Sequence, residues 1–181
     1  EFSLTLDWAI KIVCLFGLPA LAGLMVLAQP IIMVLFMRGE FDEGEVIQVS
    51  YALFAYLSGL MSFMFIKVLA PGYYARQDTK TPVKIGIVAM VSNMVFNLML
   101  APFFGYVGLA IATALSAFVN MALLYRGLHL AGVYQLTKTT LLFSAKLLVS
   151  GVVMVAAILW QLDNMQQWLD WGFSQRALTL T

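Results

Sequence analysis

The sequence has 181 residues, of which 62% are hydrophobic and only 10% are charged, and its mean hydropathy is +0.93. Soluble domains are roughly 45–50% apolar and about 25% charged, so this composition excludes a water-soluble fold. The formal net charge of +1 argues against a protein that binds nucleic acid by charge, because such proteins concentrate Lys and Arg on one face.

The first apolar interval predicts one membrane-spanning helix and then a short segment near the interface. No charged residue lies between Lys11 and Arg38. A helix over that whole interval would be roughly 39 Å long, which exceeds the hydrocarbon core of about 30 Å. We therefore predict a span over residues 8–28, bent at Pro19, with a break at Gln29–Pro30.

The middle of the chain predicts three more spans. An acidic loop precedes the second span, residues 46–75, which only Lys67 interrupts. The next charge-free interval is about twice as long as one crossing needs. It therefore predicts a helical hairpin with arms over 83–104 and 107–125, and a turn marked by Pro102 and Gly105.

The last part of the chain predicts a fifth span and the start of a sixth. A polar connection over 126–138 leads to the span 139–162, and the loop 163–175 carries two tryptophans that suit the aromatic belt of a bilayer. A new apolar stretch begins at 177 and stops after five residues. The predicted fold is an all-α polytopic membrane helix bundle, and we expect the chain to be a piece of a longer protein.

The basic residues predict the orientation of this bundle. Arg38 and Arg176 fall on one predicted side, together with most of the acids. The positive-inside rule places the richer side in the cytoplasm, which puts the loops at 38–45, 103–106 and 163–175 outside. The seven basic residues of the richer side are Lys11, Arg76, Lys80, Lys84, Arg126, Lys138 and Lys146.

Catalytic motifs are missing from the sequence. It contains one histidine, His129, and one cysteine, Cys14, and it has no zinc-binding HExxH motif, no Gly-rich phosphate loop and no pair of carboxylates inside a span. His129 is predicted to be a solvated loop residue and Cys14 an inert core thiol. We therefore predict that the protein is not an enzyme.

Two stretches carry a resemblance to a known family: LFMRGEFD at residues 35–42 and KVLAPGYYARQDTKTPVKIG at residues 67–86. They resemble the MurJ/MviN family of bacterial lipid II flippases, which belongs to the multidrug/oligosaccharidyl-lipid/polysaccharide exporter superfamily. GLAIATALSAFVNMALL at residues 108–124 is also similar to the family. The matched loop motif consists of Tyr74, Arg76, Gln77, Asp78, Thr81, Pro82, Val83, Lys84 and Ile85.

The resemblance implies one part of a two-lobe, fourteen-helix transporter of the bacterial cytoplasmic (inner) membrane. This chain would supply about helices nine to thirteen and the first residues of the fourteenth, so the N-terminal lobe that binds the lipid II head group would lie outside it. The implied partners are lipid II and membrane lipids. Two alternatives remain: a polysaccharide-lipid or drug exporter of the same superfamily, and a non-transporting membrane scaffold for cell-wall enzymes.

Lys67 and Arg76 are the candidates for a substrate path. Lys67 would lie roughly 14 Å inside its helix, where a charge is costly unless it faces a cavity or a partner. Snorkelling to the surface or an ion pair with another helix would explain it equally well. In the loop that holds Arg76, Asp78 or Thr81 could cap the next helix, and a direct role in gating is the alternative.

The polar trio Asn93, Asn97 and Thr113 predicts a monovalent-cation site, for sodium, in the hairpin. Asn97 and Thr113 each lie eight residues from Gly105, and oxygen ligands suit hard cations. The resemblance implies sodium binding in some family members, with a further acidic ligand that this hairpin lacks. The alternative is that the trio forms hydrogen bonds between helices, in which case no cofactor is needed.

Overall fold

The computed structural model describes residues 2–36, 43–134 and 137–161. It contains the helices α1 (Phe2–Phe36), α2 (Glu43–Tyr74), α3 (Lys80–Leu130) and α4 (Lys138–Gln161). Within this part of the chain, all four helices are long and apolar enough to cross a membrane. The loop 163–175, the stretch from 177 and most of the acidic loop 38–45 lie outside the described residues.

Helix α3 is a hairpin of two helical arms rather than one straight rod. Its 51 residues include Gly105, whose backbone angles of φ 55° and ψ −133° are not helical. Only glycine adopts such angles without a steric penalty. Asn93 of the first arm donates a hydrogen bond to Ser116 of the second arm, so the arms lie side by side. The predicted turn at Gly105 is confirmed.

Helix α1 corrects the prediction of a break at Gln29–Pro30, because the helix continues through Pro30 to Phe36. Pro30 removes one backbone donor, but packing around it outweighs this loss, since Ala28, Pro30 and Ile32 are all buried. Irregular helix interiors of this kind are tolerated in membranes where neighbouring helices surround them.

The predicted connection over 126–138 is also shorter than expected. The second arm of α3 runs on to Leu130, and the chain then turns through Gly132, which has a φ of 67°. The helix extends because Leu124 and Leu128 are both fully buried. Hydrogen bonds from Gly132 to His129 and from Val133 to Leu128 close the helix end in a Schellman motif.

The core lies at the end of the bundle where α1, α2, the second arm of α3 and the α3–α4 connection meet. Its buried residues are Leu6, Ile10, Cys14, Leu69, Tyr73, Leu124, Leu128 and Tyr134. Many other large apolar side chains point outward; Phe103 and Trp160 are 82% and 84% exposed. Lipid or other parts of the protein must cover these side chains, because so large an apolar surface is unfavourable in contact with water.

Candidate functional site

The loop between α2 and α3 holds the sequence motif and is tightly ordered by its backbone. Gln77 has a φ of 61°, the left-handed conformation that usually falls to glycine at a helix end. The N–H of Gln77 donates to Tyr74 and the N–H of Asp78 donates to Tyr73. These two bonds form a Schellman motif, so the RQD sequence ends α2 in a sharp turn.

Asp78 caps the start of the next helix, α3, from a position just before it. Its carboxylate accepts a 3.0 Å hydrogen bond from the backbone N–H of Thr81, which is the bond of a helix N-cap. Hydrogen bonds from the side chain and the backbone of Thr81 lower the pKa of Asp78, so the cap stays ionised at neutral pH. Pro82 is buried in the first turn of α3, where its missing N–H costs nothing.

Of the remaining motif side chains, Ile85 is partly buried against the core, whereas most of the others are open to the surroundings. Tyr74, Arg76, Gln77 and Lys84 are exposed. The capping prediction for Asp78 is therefore confirmed, whereas a gating role for the loop stays a prediction.

Tyr73 fastens the motif loop to the rest of the bundle. It is buried, and its hydroxyl donates a 2.7 Å hydrogen bond to the backbone oxygen of Leu124 on α3. Gly127 allows this approach, because a Cβ at that position would collide with the Tyr73 hydroxyl. The end of α2 and the second arm of α3 are thus held together directly beside the RQD turn.

Lys67 borders a groove between α2 and both arms of α3, with a volume of about 510 Å³. Lys67 itself is exposed, and it also borders a second groove between α1 and α2. The first groove is the polar one. Besides Lys67, its polar lining residues are Asn93, Thr113, Ser116 and Asn120.

The predicted trio forms one chain of hydrogen bonds with Ser116. The Asn97 amide donates to Asn93 Oδ1 at 3.0 Å. The Asn93 amide faces Ser116 Oγ at 3.2 Å and Thr113 Oγ1 at 3.5 Å. The two hydroxyls in turn donate to backbone oxygens of their own helix arm. The structure therefore brings the trio together, and it adds Ser116.

The oxygen atoms of these four residues can be compared with the ligands that a sodium ion needs. The one buried side-chain acceptor without a hydrogen bond in the described part of the chain is Asn97 Oδ1, which would suit a cation. The other side-chain oxygens of this hydrogen-bonded chain already accept or donate hydrogen bonds. Among the described residues that line the groove there is no carboxylate, whereas Lys67 contributes an ammonium. The described residues do not by themselves fit a sodium ion. Sodium binding by the complete protein stays a prediction.

Asp7 is a polar centre that our sequence analysis missed. It is 7% exposed, and its Oδ1 accepts hydrogen bonds from Thr140 at 2.6 Å and from Tyr134 at 3.1 Å. Its Oδ2 forms an ion pair with Lys11 at 2.8 Å. One carboxylate thus connects α1, the α3–α4 connection and the start of α4. The available signal was an acid inside an apolar helix, four residues before a lysine.

Comparisons of the sequence with a family model and with curated relatives point to the same family. The family model "Lipid II flippase MurJ" matches residues 1–178. The chain is 66% identical to a probable lipid II flippase MurJ of Vibrio cholerae and 51% identical to that of Haemophilus influenzae, in each case over 99% of this chain. It spans only 34% and 35% of those two relatives.

A solved structure shows the same fold. A lipid II flippase MurJ in an inward closed conformation superposes with a TM-score of 0.77 at 22% identity, over 99% of this chain and 36% of that chain. The helical arrangement described above is therefore that of one part of a larger membrane protein. From the family match over residues 1–178 and the relatives that cover almost all of it, the chain belongs to the lipid II flippase MurJ family.

Proposed function

We propose that the complete protein translocates lipid II, the undecaprenyl-linked peptidoglycan precursor, across the bacterial cytoplasmic membrane by alternating access. The observation that carries this proposal is the 66% identity to a probable lipid II flippase over 99% of the chain. The chain spans about a third of that relative. It contributes helices of one lobe, and the remaining helices complete the transport path.

In this function the protein makes and breaks no covalent bond, so it is not an enzyme. Lipid II is its substrate, and membrane lipids surround the exposed apolar faces of α3 and α4. The other lobe is its partner within the complete protein. The ordered RQD turn and the Tyr73 anchor keep α2 and α3 together, so that this part of the bundle moves as one body.

A depletion experiment tests the proposal. Cells in which the native flippase is depleted should grow when they express the complete protein. Lipid II should then become accessible to an enzyme added outside spheroplasts. Growth without such accessibility, or accessible lipid II in cells that express no flippase, would contradict the proposal. Purified protein in vesicles that contain lipid II provides the same readout without other cell components.

Lys67 is proposed to act through its charge. We expect Lys67→Ala to impair growth in the depletion strain, and Lys67→Arg to impair it less. A charge inside a membrane span is costly, so its presence indicates a function that the charge serves, and arginine keeps that charge. Growth rates at matched expression decide the prediction. Normal growth of the alanine variant would leave snorkelling as the explanation. Arg76→Ala extends the same comparison to the second substrate-path candidate, in the motif loop.

The orientation is tested separately. We expect the loop around Asp78 and the connection at 131–134 to face the cytoplasm, because seven basic residues lie on that side and two on the other. An impermeant thiol reagent applied to intact cells should label a cysteine placed at Asp163 and leave one placed at Asp78 unlabelled. The reverse labelling would show that the orientation is inverted.

A further inference from the structure

The groove between α2 and the hairpin α3 contains a positive charge that belongs to the protein itself. Lys67 lines it together with the amides of Asn93 and Asn120 and the hydroxyls of Thr113 and Ser116. None of the described residues that line it is acidic. Its polar surface therefore consists of one ammonium and four neutral groups that carry oxygen acceptors.

Such a groove disfavours a second cation. A sodium ion in the same groove as the ammonium would be repelled by it, and in a partly desolvated site this repulsion lowers the affinity for sodium. A carboxylate normally offsets such a repulsion, and the lining residues offer none. The ammonium, by contrast, carries the same unit charge as sodium and can donate three hydrogen bonds to neighbouring oxygens.

We propose that Lys67 is the built-in monovalent cation of this groove and replaces a bound sodium ion there. The second groove that Lys67 borders is lined mainly by apolar residues of α1 and α2, with Thr5 as its one other polar side chain among the lining residues. Most of the acceptors that suit an ammonium therefore lie on the α3 side. Thr113, Ser116 and Asn93 already form one hydrogen-bonded unit. The ammonium adds a charge to this unit that stays attached to α2.

A tethered charge behaves differently from a bound ion. It cannot exchange with the solution, and its occupancy does not depend on the sodium concentration. The charge also moves with α2 whenever α2 shifts relative to α3. A carboxylate brought to the groove by another part of the protein would be expected to pair with the ammonium. A carboxylate that instead held a sodium ion beside Lys67 would overturn the inference. The inference deepens the proposed function and rests on it for what the charge is used for.

The test compares thermal unfolding of the complete protein in sodium chloride and in choline chloride at equal ionic strength. We expect the wild type and Lys67→Arg to unfold at the same temperature in both salts. Lys67→Gln should unfold at a lower temperature in choline and recover part of the difference in sodium. Asn93→Ala in the Lys67→Gln background should abolish that recovery.

A matched control is Lys84→Gln, because Lys84 is an exposed lysine of α3 that does not line the groove. This variant should respond to neither salt. A sodium-specific stabilisation of the wild type that Thr113→Ala removes would overturn the inference. The absence of any sodium response in Lys67→Gln would overturn it as well.

If the Lys67→Gln variant does not fold, the binding of radioactive sodium to the wild-type protein can be measured instead. Saturable sodium binding that is lost on Thr113→Ala contradicts the inference, and the absence of such binding supports it. Lipid II translocation by the wild type in sodium-free buffer distinguishes the two proposals. A wild type that translocates no lipid II in either salt would refute the proposed function and leave the unfolding result standing.

Discussion

Asp7→Ala is expected to destabilise the complete protein by about 3–5 kcal/mol, the usual effect of removing one partner from a buried charged network. Tyr134 and Thr140 are each 1% exposed, and both donate to Asp7 Oδ1. Without the carboxylate, two buried hydroxyls would lose their acceptor, and each such loss costs about 1–3 kcal/mol.

The Lys11 ion pair adds less to this effect. The Lys11 side chain is 31% exposed, so solvent screens the loss of its partner. Tyr134 is buried and donates a hydrogen bond to Asp7, and burial together with the Asp7 carboxylate raises the pKa of the Tyr134 phenol. The phenol therefore stays protonated at neutral pH and remains a hydrogen-bond donor.

Thermal unfolding in detergent measures the effect, and Asp7→Asn separates charge from hydrogen bonding. The asparagine keeps the acceptor oxygen, so we expect an intermediate loss of stability. Asp78→Ala is the matched control, since Asp78 is an acid that caps α3 at the surface, and its loss should shift the unfolding temperature much less. Wild-type stability of Asp7→Ala would show that the carboxylate does not hold these helices together.

The sequence predicted the helices well because charges are rare and each one carries information about a helix end. The interval from 85 to 125 required two crossings, and Pro102 and Gly105 marked the place of the reversal near its middle. Pro30 misled the prediction, since proline normally ends a helix. The packing that keeps α1 helical around Pro30 involves other helices, which a local pattern does not reveal.

The candidate site was predictable only where it is local in sequence. The RQD motif named Asp78, and its bond to Thr81 spans three residues. Asp7, in contrast, binds partners 127 and 133 residues away. A local sequence pattern does not predict contacts between residues so far apart in the chain. Lys67 was noticed for its cost inside a membrane, but its position beside Asn93 and Thr113 required the structure.

Gly108→Ala is expected to have the second large effect, because it would force the two arms of the hairpin apart. A Cβ at this position would lie 2.5 Å from the backbone oxygen and 2.7 Å from the backbone carbon of Leu100. Backbone atoms cannot rotate away as a side-chain end can. Overpacking of this kind costs about 1–3 kcal/mol, and occasionally more.

The matched control is Gly86→Ala, since nothing lies within 4 Å of a Cβ added at Gly86, and alanine favours a helix over glycine by up to about 1 kcal/mol. We expect the Gly108 variant to unfold at a lower temperature than the wild type, and the Gly86 variant at the same or a higher one. Equal unfolding temperatures of the two variants would contradict the tight hairpin. Because Asn93 reaches Ser116 across the same pair of arms, Gly108→Ala should also reduce lipid II translocation at temperatures where the protein is still folded.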